Sequence, residues 1–327
     1  MAKLRWGVLG CGDVVRKRVA QAIQEQPNSE LLAACRRDAD GVKEFAQRFQ
    51  VPRVYTHDLD LLSDPDIDIV YIATPVHLHL PQTLAAAAAR KHVLVEKPMA
   101  MTTAECDQMV QACHQQKVKL GVAYYRRFYP MVRRMEKLLA KGEIGQVLSV
   151  SAVTCTPYPM QPGEEGYWRV LPESGGGGAL MDIGSHRLNL FLHMFGPVTQ
   201  VKALCTTVAA QYQAEDTALL SLKFASGMVG SLQCYFGTTV DPDEFTVLGT
   251  NGRLAAQPLN GDRLFVQSGD TSRWELCPPD SNLCAPLIED MVQAVLKDKL
   301  PTVTGNEARW TNAVIEKAYL EASGRKA

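Results

Sequence analysis

No apolar run in this 327-residue chain approaches the length that spans a bilayer, and the first strand-like segment begins at Leu4, which leaves no room for a secretory leader. Neither sign of charge is in excess. The 34 Lys and Arg and 35 Asp and Glu are interspersed and give a formal net charge of −1, so no basic stripe offers itself to nucleic acid and no polybasic segment to a membrane surface. CxxC pairs are missing too. The nine cysteines are odd in number and scattered, which excludes a disulfide framework and a zinc ribbon; they read as reduced, mostly buried thiols. Cys155 has no recognisable base beside it in sequence and reads as structural rather than nucleophilic. Internal repeats and low-complexity tracts are also absent. These absences leave a cytoplasmic protein whose partners are small molecules, and 46% hydrophobic residues over this length suit two domains better than one.

Short β-rich apolar runs recur at Leu4–Leu9, Leu31–Cys35, Ile69–Thr74, Val93–Glu96 and Leu120–Val122, separated by stretches of helical spacing or composition. That alternation predicts a doubly wound parallel Rossmann sheet, an α/β fold, over residues 1–122. Pro81 sits where a helix can begin without losing a needed N–H, and Thr102 and Glu105 form a capping box ahead of the next helix. From about Val147 the pattern changes to longer strands with turn-like punctuation, including Ala225-Ser226-Gly227, around one helix near Leu180–Met194. Residues 123–327 are therefore expected to form an α+β domain with a large, mostly antiparallel sheet, serving substrate binding and oligomerisation. Its closing helices, Ala285–Lys297 and Glu307–Ala322, can pack back on the first domain.

The first strand runs into Gly10-Cys11-Gly12-Asp13-Val14-Val15 and then a helix, the context of a dinucleotide fingerprint. Gly10 permits the tight turn and Gly12 lets the backbone approach a pyrophosphate, whose charge meets the unpaired N–H groups of the helix start. Val15 stands where the third glycine belongs, so the string alone is also compatible with an ordinary glycine-rich turn. At the end of the second strand, where NAD-binding proteins carry an acid for the ribose hydroxyls, stands Cys35-Arg36-Arg37-Asp38. Two guanidinium groups there favour the 2′-phosphate of NADP(H), with NAD(H) as the other possibility; the bland reading is a solvated basic turn in which Asp38 neutralises one arginine.

Further along, Ala73-Thr74-Pro75 and Val93-Leu94-Val95-Glu96-Lys97-Pro98 are followed by Arg127-Phe128-Tyr129-Pro130, Trp168-Arg169, a Gly175–Gly178 run leading to Asp182-Ile183-Gly184-Ser185-His186, and Gly249-Thr250-Asn251-Gly252. In this order the strings resemble the glucose–fructose oxidoreductase / inositol dehydrogenase / rhizopine catabolism (Gfo/Idh/MocA) family over essentially the whole chain. The resemblance implies cofactor contacts at Thr74, Pro75, His79, Glu96, Lys97, Arg127, Trp168 and Arg169, beside those of Gly10, Gly12, Asp13, Val14, Arg36 and Arg37. It also implies that Lys97 reaches between nicotinamide and substrate oxygen, that His186 exchanges a proton with the reacting hydroxyl, and that Asp182 binds substrate or orients the imidazole. Val76 and Asn189 depart from the family's usual asparagine and aspartate.

The residues themselves give each role a bland alternative. Lys97 ends an apolar strand at the carboxyl edge of a parallel sheet, where such folds bind ligands, although a lone lysine is more often a solvated charge. Asp182 and His186 lie four residues apart and share a helical face, within a polar stripe with Asn189 and His193 that could equally face solvent or satisfy core groups. That stripe matches no metal-binding spacing, and no metal is expected. Tyr125 and Arg126 offer an aromatic face and a forked donor to a polyhydroxylated ring, or simply packing and surface charge; with Lys97, Asp182, His186 and Asn189 they complete the expected substrate contacts. The Gly175–Gly178 run reads as a flexible linker or a pliable active-site loop, and Gly184 inside a helix implies something packed close to the backbone. The leading expectation is an NADP(H)-dependent oxidoreductase acting on a sugar, cyclic polyol or dihydrodiol, assembled as a homodimer or homotetramer. A non-catalytic dinucleotide and sugar sensor, or a redox-neutral glycosidase-like enzyme, is the rival.

Overall fold

The computed structural model describes residues 3–324 and divides the chain into two compact units, Met1–Tyr125 with Asn282–Arg309 and Arg126–Ser281 with Trp310–Ala327. In the first unit β1 (Leu4–Leu9), β2 (Ser29–Cys35), β3 (Arg53–Tyr55), β4 (Ile69–Ile72), β5 (His92–Val95) and β6 (Leu120–Val122) form one parallel sheet in the order β3-β2-β1-β4-β5-β6. All four residues of β4 are buried, which is why its sequence is a continuous apolar run rather than an alternation. A helical segment opens at Asp13, passes through a wide turn at Val15–Val19 and continues as α1 (Ala20–Glu25). It is followed by α2 (Ala39–Phe49), α3 (Asp58–Leu62), α4 (His79–Ala88) and α5 (Thr103–Gln115).

Three local expectations need correction. The strand β3 and the separate helix α3 lie in a stretch read only as helical in spacing or composition; three and five residues are too few to display a period of their own. The helix assigned to start at Pro81 starts at His79, and the proline, third in the helix, still lacks only an N–H that has no intrahelical acceptor. In the capping box Thr102 Oγ1 accepts from Glu105 N at 3.2 Å, but the Glu105 carboxylate accepts from Met101 N at 2.9 Å rather than from the cap residue itself.

In the second unit α6 (Pro130–Ala140) precedes β7 (Val147–Cys155). The short α7 (Pro172–Gly175) and a wide turn at Leu180–Gly184 lead into α8 (Ser185–Phe195). The strands β8 (Val198–Thr206), β9 (Thr217–Phe224), β10 (Val229–Tyr235), β11 (Asp243–Gly249), β12 (Gly252–Ala256), β13 (Arg263–Ser268) and β14 (Thr271–Leu276) join β7 in an eight-stranded sheet, ordered β14-β13-β12-β11-β7-β10-β9-β8. Only the β7–β10 pair is parallel. Strict burial alternation in β9 and β11 marks one covered face and one open face. The segment Leu180–Phe195 covers the inner face. A Cβ on Gly184 would stand 2.7 Å from Cys234 Sγ of β10, and the rings of Phe191 and Phe245 lie 5.5 Å apart. The chain closes with α9 (Ala285–Leu296) and α10 (Gly305–Ala322).

Eight of the nine cysteines are buried, Cys205 is half-buried, and none forms a disulfide with another described residue. Burial pushes the Cys35 thiol up to about 12 and the Cys155 thiol up to about 11, so both are protonated and inert at neutral pH. Among the described residues no helix is long and apolar enough to cross a membrane.

Candidate functional site

In the first unit the strand order reverses between β1 and β4, so the loops leaving their carboxyl ends part and open the crevice in which such sheets bind ligands. Gly10 stands there at φ +91°, donating to Cys35 O at 2.9 Å; a Cβ on it would meet Ala73 O at 2.5 Å, so no side chain fits. Gly12 O accepts from Arg16 N at 3.0 Å, which makes the Asp13 and Val14 amides part of a first helical turn, whose N–H groups have no intrahelical carbonyl. The Asp13 side chain points to solvent and pairs with Lys17 at 2.9 Å. Arg36 is half-buried just past β2 with its Nε 3.7 Å from Asp38, which also caps α2, while Arg37 is exposed. The turn fits the pyrophosphate of a dinucleotide.

The loops after β4 and β5 are tied together by one imidazole. His79 is 1% exposed; its Nε2 lies 2.9 Å from Thr74 O and its Nδ1 3.0 Å from Pro98 O and 3.2 Å from Met99 O. Burial pushes its pKa down to about 4 in spite of those carbonyls. Thr74 Oγ1 donates to Gln82 at 2.6 Å. Val76, where the family's asparagine is expected, is 2% exposed and packs inward. Glu96 accepts from the fully buried Tyr71 hydroxyl at 2.6 Å and from Lys97 N at 3.1 Å, and Lys97 itself is half-buried at the carboxyl end of β5. Tyr125, also of this unit, is packed under Arg18, which donates to its hydroxyl at 3.2 Å.

In the second unit Asp182 is half-buried with the Arg169 Nε 3.9 Å away, and the Arg169 guanidinium stacks 4.9 Å over Trp168. One helical turn on, His186 is 5% exposed. Asn189 is 2% exposed and its amide donates to Thr311 Oγ1 of α10 at 3.2 Å. The polar stripe therefore does not face water, except at His193, which pairs with Glu136. Arg126 is half-buried, its Nε donating to Asn260 at 3.2 Å, and Arg127 is 6% exposed. Next to the histidine, Arg187 forms a buried ion pair with Asp243 that ties α8 to β11.

The Gly175–Gly178 run is neither a flexible linker nor a pliable loop. Gly175, Gly177 and Gly178 are buried because other backbone and side-chain atoms occupy the space a Cβ would need: Arg169 O at Gly175, the Tyr319 hydroxyl at Gly177 and Glu215 O at Gly178. The Glu215 carboxylate accepts from Gly178 N and from Leu180 N, both at 2.9 Å, and from Tyr319 OH at 2.9 Å. It thus clamps the start of the helical segment that carries Asp182 and His186. Burial raises the pKa of this carboxyl while its hydrogen bonds act the other way. Nothing in the residues around Glu215 announces this role, whereas the glycines that admit it were visible.

Residues 4–124 match the family model described as an oxidoreductase family with an NAD-binding Rossmann fold, and residues 132–255 match the GFO/IDH/MocA C-terminal domain. A Formosa agariphila protein named oxidoreductase P35 is 33% identical over 294 residues, 89% of this chain and 90% of that one. Mouse (Mus musculus) trans-1,2-dihydrobenzene-1,2-diol dehydrogenase is 30% identical over 278 residues, 84% of this chain and 80% of its own. Among solved structures, aldose-aldose oxidoreductase from Caulobacter crescentus, complexed with glycerol, matches with a TM-score of 0.89 at 28% identity over 99% of this chain and 98% of that one.

Proposed function

The chain belongs to the GFO/IDH/MocA oxidoreductases, and from that premise we propose that it is an NADP(H)-dependent enzyme acting on a hydroxyl-bearing carbon of a sugar, cyclic polyol or dihydrodiol. The observation that carries the reading is the placement of Lys97, a half-buried cation at the carboxyl end of β5 in a dinucleotide-binding sheet, with Glu96 held by Tyr71 beside it. Bound nicotinamide supplies or accepts the hydride. Lys97 places positive charge at the reacting oxygen, stabilising an alkoxide or polarising a carbonyl. His186 exchanges the proton of that hydroxyl, and Asp182, held by Arg169, fixes a neighbouring hydroxyl. Arg36 and Arg37 recognise the adenosine 2′-phosphate with charge-assisted hydrogen bonds, where an acid would repel it. The names of the mouse and Caulobacter relatives, a diol and an aldose enzyme, support the substrate class. The free, buried thiols support a reducing, cytoplasmic setting.

The test is a panel of sugars, polyols and dihydrodiols assayed in both directions at the nicotinamide absorbance band with each coenzyme. Replacing Arg36 and Arg37 by alanine is expected to weaken NADPH binding about tenfold or more while leaving NADH nearly unchanged; equal losses overturn the phosphate assignment. Lys97→Ala is expected to lower kcat by about two orders of magnitude with little change in coenzyme affinity, and unchanged turnover dismisses its role.

A further inference from the structure

The second unit holds a cavity of about 510 Å³, a size at which ligand pockets enclose more than a single small ring. Its walls come from the stretch after β7, the loop before β9 and the stretch after β10, with Tyr158, Tyr167, Tyr212 and Phe236 as the large side chains and Gln211 and Thr238 as polar ones. Among the described residues none that lines it carries a charge, so nothing there compensates a phosphate, diphosphate or carboxylate. Two observations mark the cavity as built. The Tyr158 ring is stacked on Phe236 at 4.8 Å and meets Tyr212 edge-on at 5.8 Å, so the aromatic wall is assembled in advance. The Tyr212 hydroxyl is buried and makes no hydrogen bond to any described residue, a cost that a ligand hydroxyl or ether oxygen removes.

Contacts within the unit connect this wall to the proton-transfer residues. The Tyr158 hydroxyl donates to Gly166 O at 2.6 Å. Gly166 opens the turn Tyr167–Val170 that carries Arg169, and Arg169 Nε is 3.9 Å from Asp182. Asp182 and Arg169 are also among the charges that act on the Tyr158 phenol.

We infer that this cavity is a subsite for an uncharged second ring of the substrate, an aglycone or a second sugar residue, attached to the ring whose hydroxyl is presented to Asp182 and His186. The inference rests on the function proposed above and names its substrate class more narrowly: a neutral glycoside rather than a nucleotide sugar, sugar phosphate or sugar acid.

Calorimetric titration of the protein saturated with NADPH tests it, using matched methyl and phenyl glycosides of several monosaccharides together with the corresponding sugar 1-phosphates. At least one phenyl glycoside is expected to bind about tenfold more tightly than its methyl partner, the equilibrium counterpart of one good aromatic contact, with no gain for the phosphates. Tyr212→Leu and Phe236→Leu, each checked for an unaltered melt, remove aromatic faces of the wall and are expected to shrink that ratio to about twofold or less. Equal binding of every matched pair, no binding of any, a preference for the phosphates, or a ratio that survives both substitutions overturns the subsite. Because binding is read without turnover, an aryl preference with no change in nicotinamide absorbance points instead to failure of the proposed redox function.

Discussion

Three carbonyl oxygens surround the His79 ring, which by themselves would favour a doubly protonated imidazole, yet burial prevails and holds its pKa at about 4. An unfolded histidine titrates near 6.5, so between about pH 6.5 and 4 the unfolded chain binds more protons than the folded one. Stability is then fully present above that window and falls as the pH drops through it, by on the order of 3 kcal/mol. Denaturant midpoints measured from pH 7 to 4 are expected to show this decline, and His79→Gln, which cannot titrate, to flatten it; parallel curves for the two proteins would count against the assignment. The sequence pointed to His79 as a cofactor contact through its family string. Its capacity to staple the Thr74 and Pro98 loops is a three-dimensional coincidence of carbonyls that no local pattern encodes. Arg36 was legible from the missing acid at the end of the second strand, whereas its partial pairing with Asp38 became visible only in the fold.

Among elements, the helical segment with Asp182 and His186 depends most on a distant residue. Glu215→Ala leaves two buried amides without their acceptor, each costing about 1–3 kcal/mol, and is expected to lower the melting temperature and kcat together. Glu215→Gln, which keeps one acceptor, is expected to recover part of both. Gly178→Ala is expected to resemble Glu215→Ala, because its Cβ collides with backbone rather than with a movable side chain. Wild-type melting and turnover in these variants would refute the clamp. The glycine run was conspicuous in the sequence, but composition cannot distinguish glycine that faces water from glycine that faces another backbone. The strand β14 offers no pattern of burial to read. In β14 nearly every residue is exposed, so no alternation marks it, whereas β9 and β11, covered on one face, alternate between buried and exposed positions.

Across the whole molecule the two sheets and their order along the chain were readable, because each has its own period: continuous apolar runs in the parallel one and alternation in the other. What lies on the open face of the larger sheet was not. Leu204, Leu219, Val229 and Leu248 are 69%, 41%, 54% and 45% exposed there, and a formal net charge of −1 opposes association only weakly. Sedimentation equilibrium is expected to find a homodimer or homotetramer, and the Leu204→Lys, Leu219→Lys double variant to shift it towards monomer; a monomeric wild-type protein at micromolar concentration would exclude this surface as an interface. The sequestered thiols bear on practical handling. A chain with nine cysteines presents at most one, Cys205, to an alkylating reagent while folded. A single cysteine engineered on the surface can therefore carry a fluorophore without stripping out the native ones, and the number of groups that react over time becomes a direct gauge of unfolding.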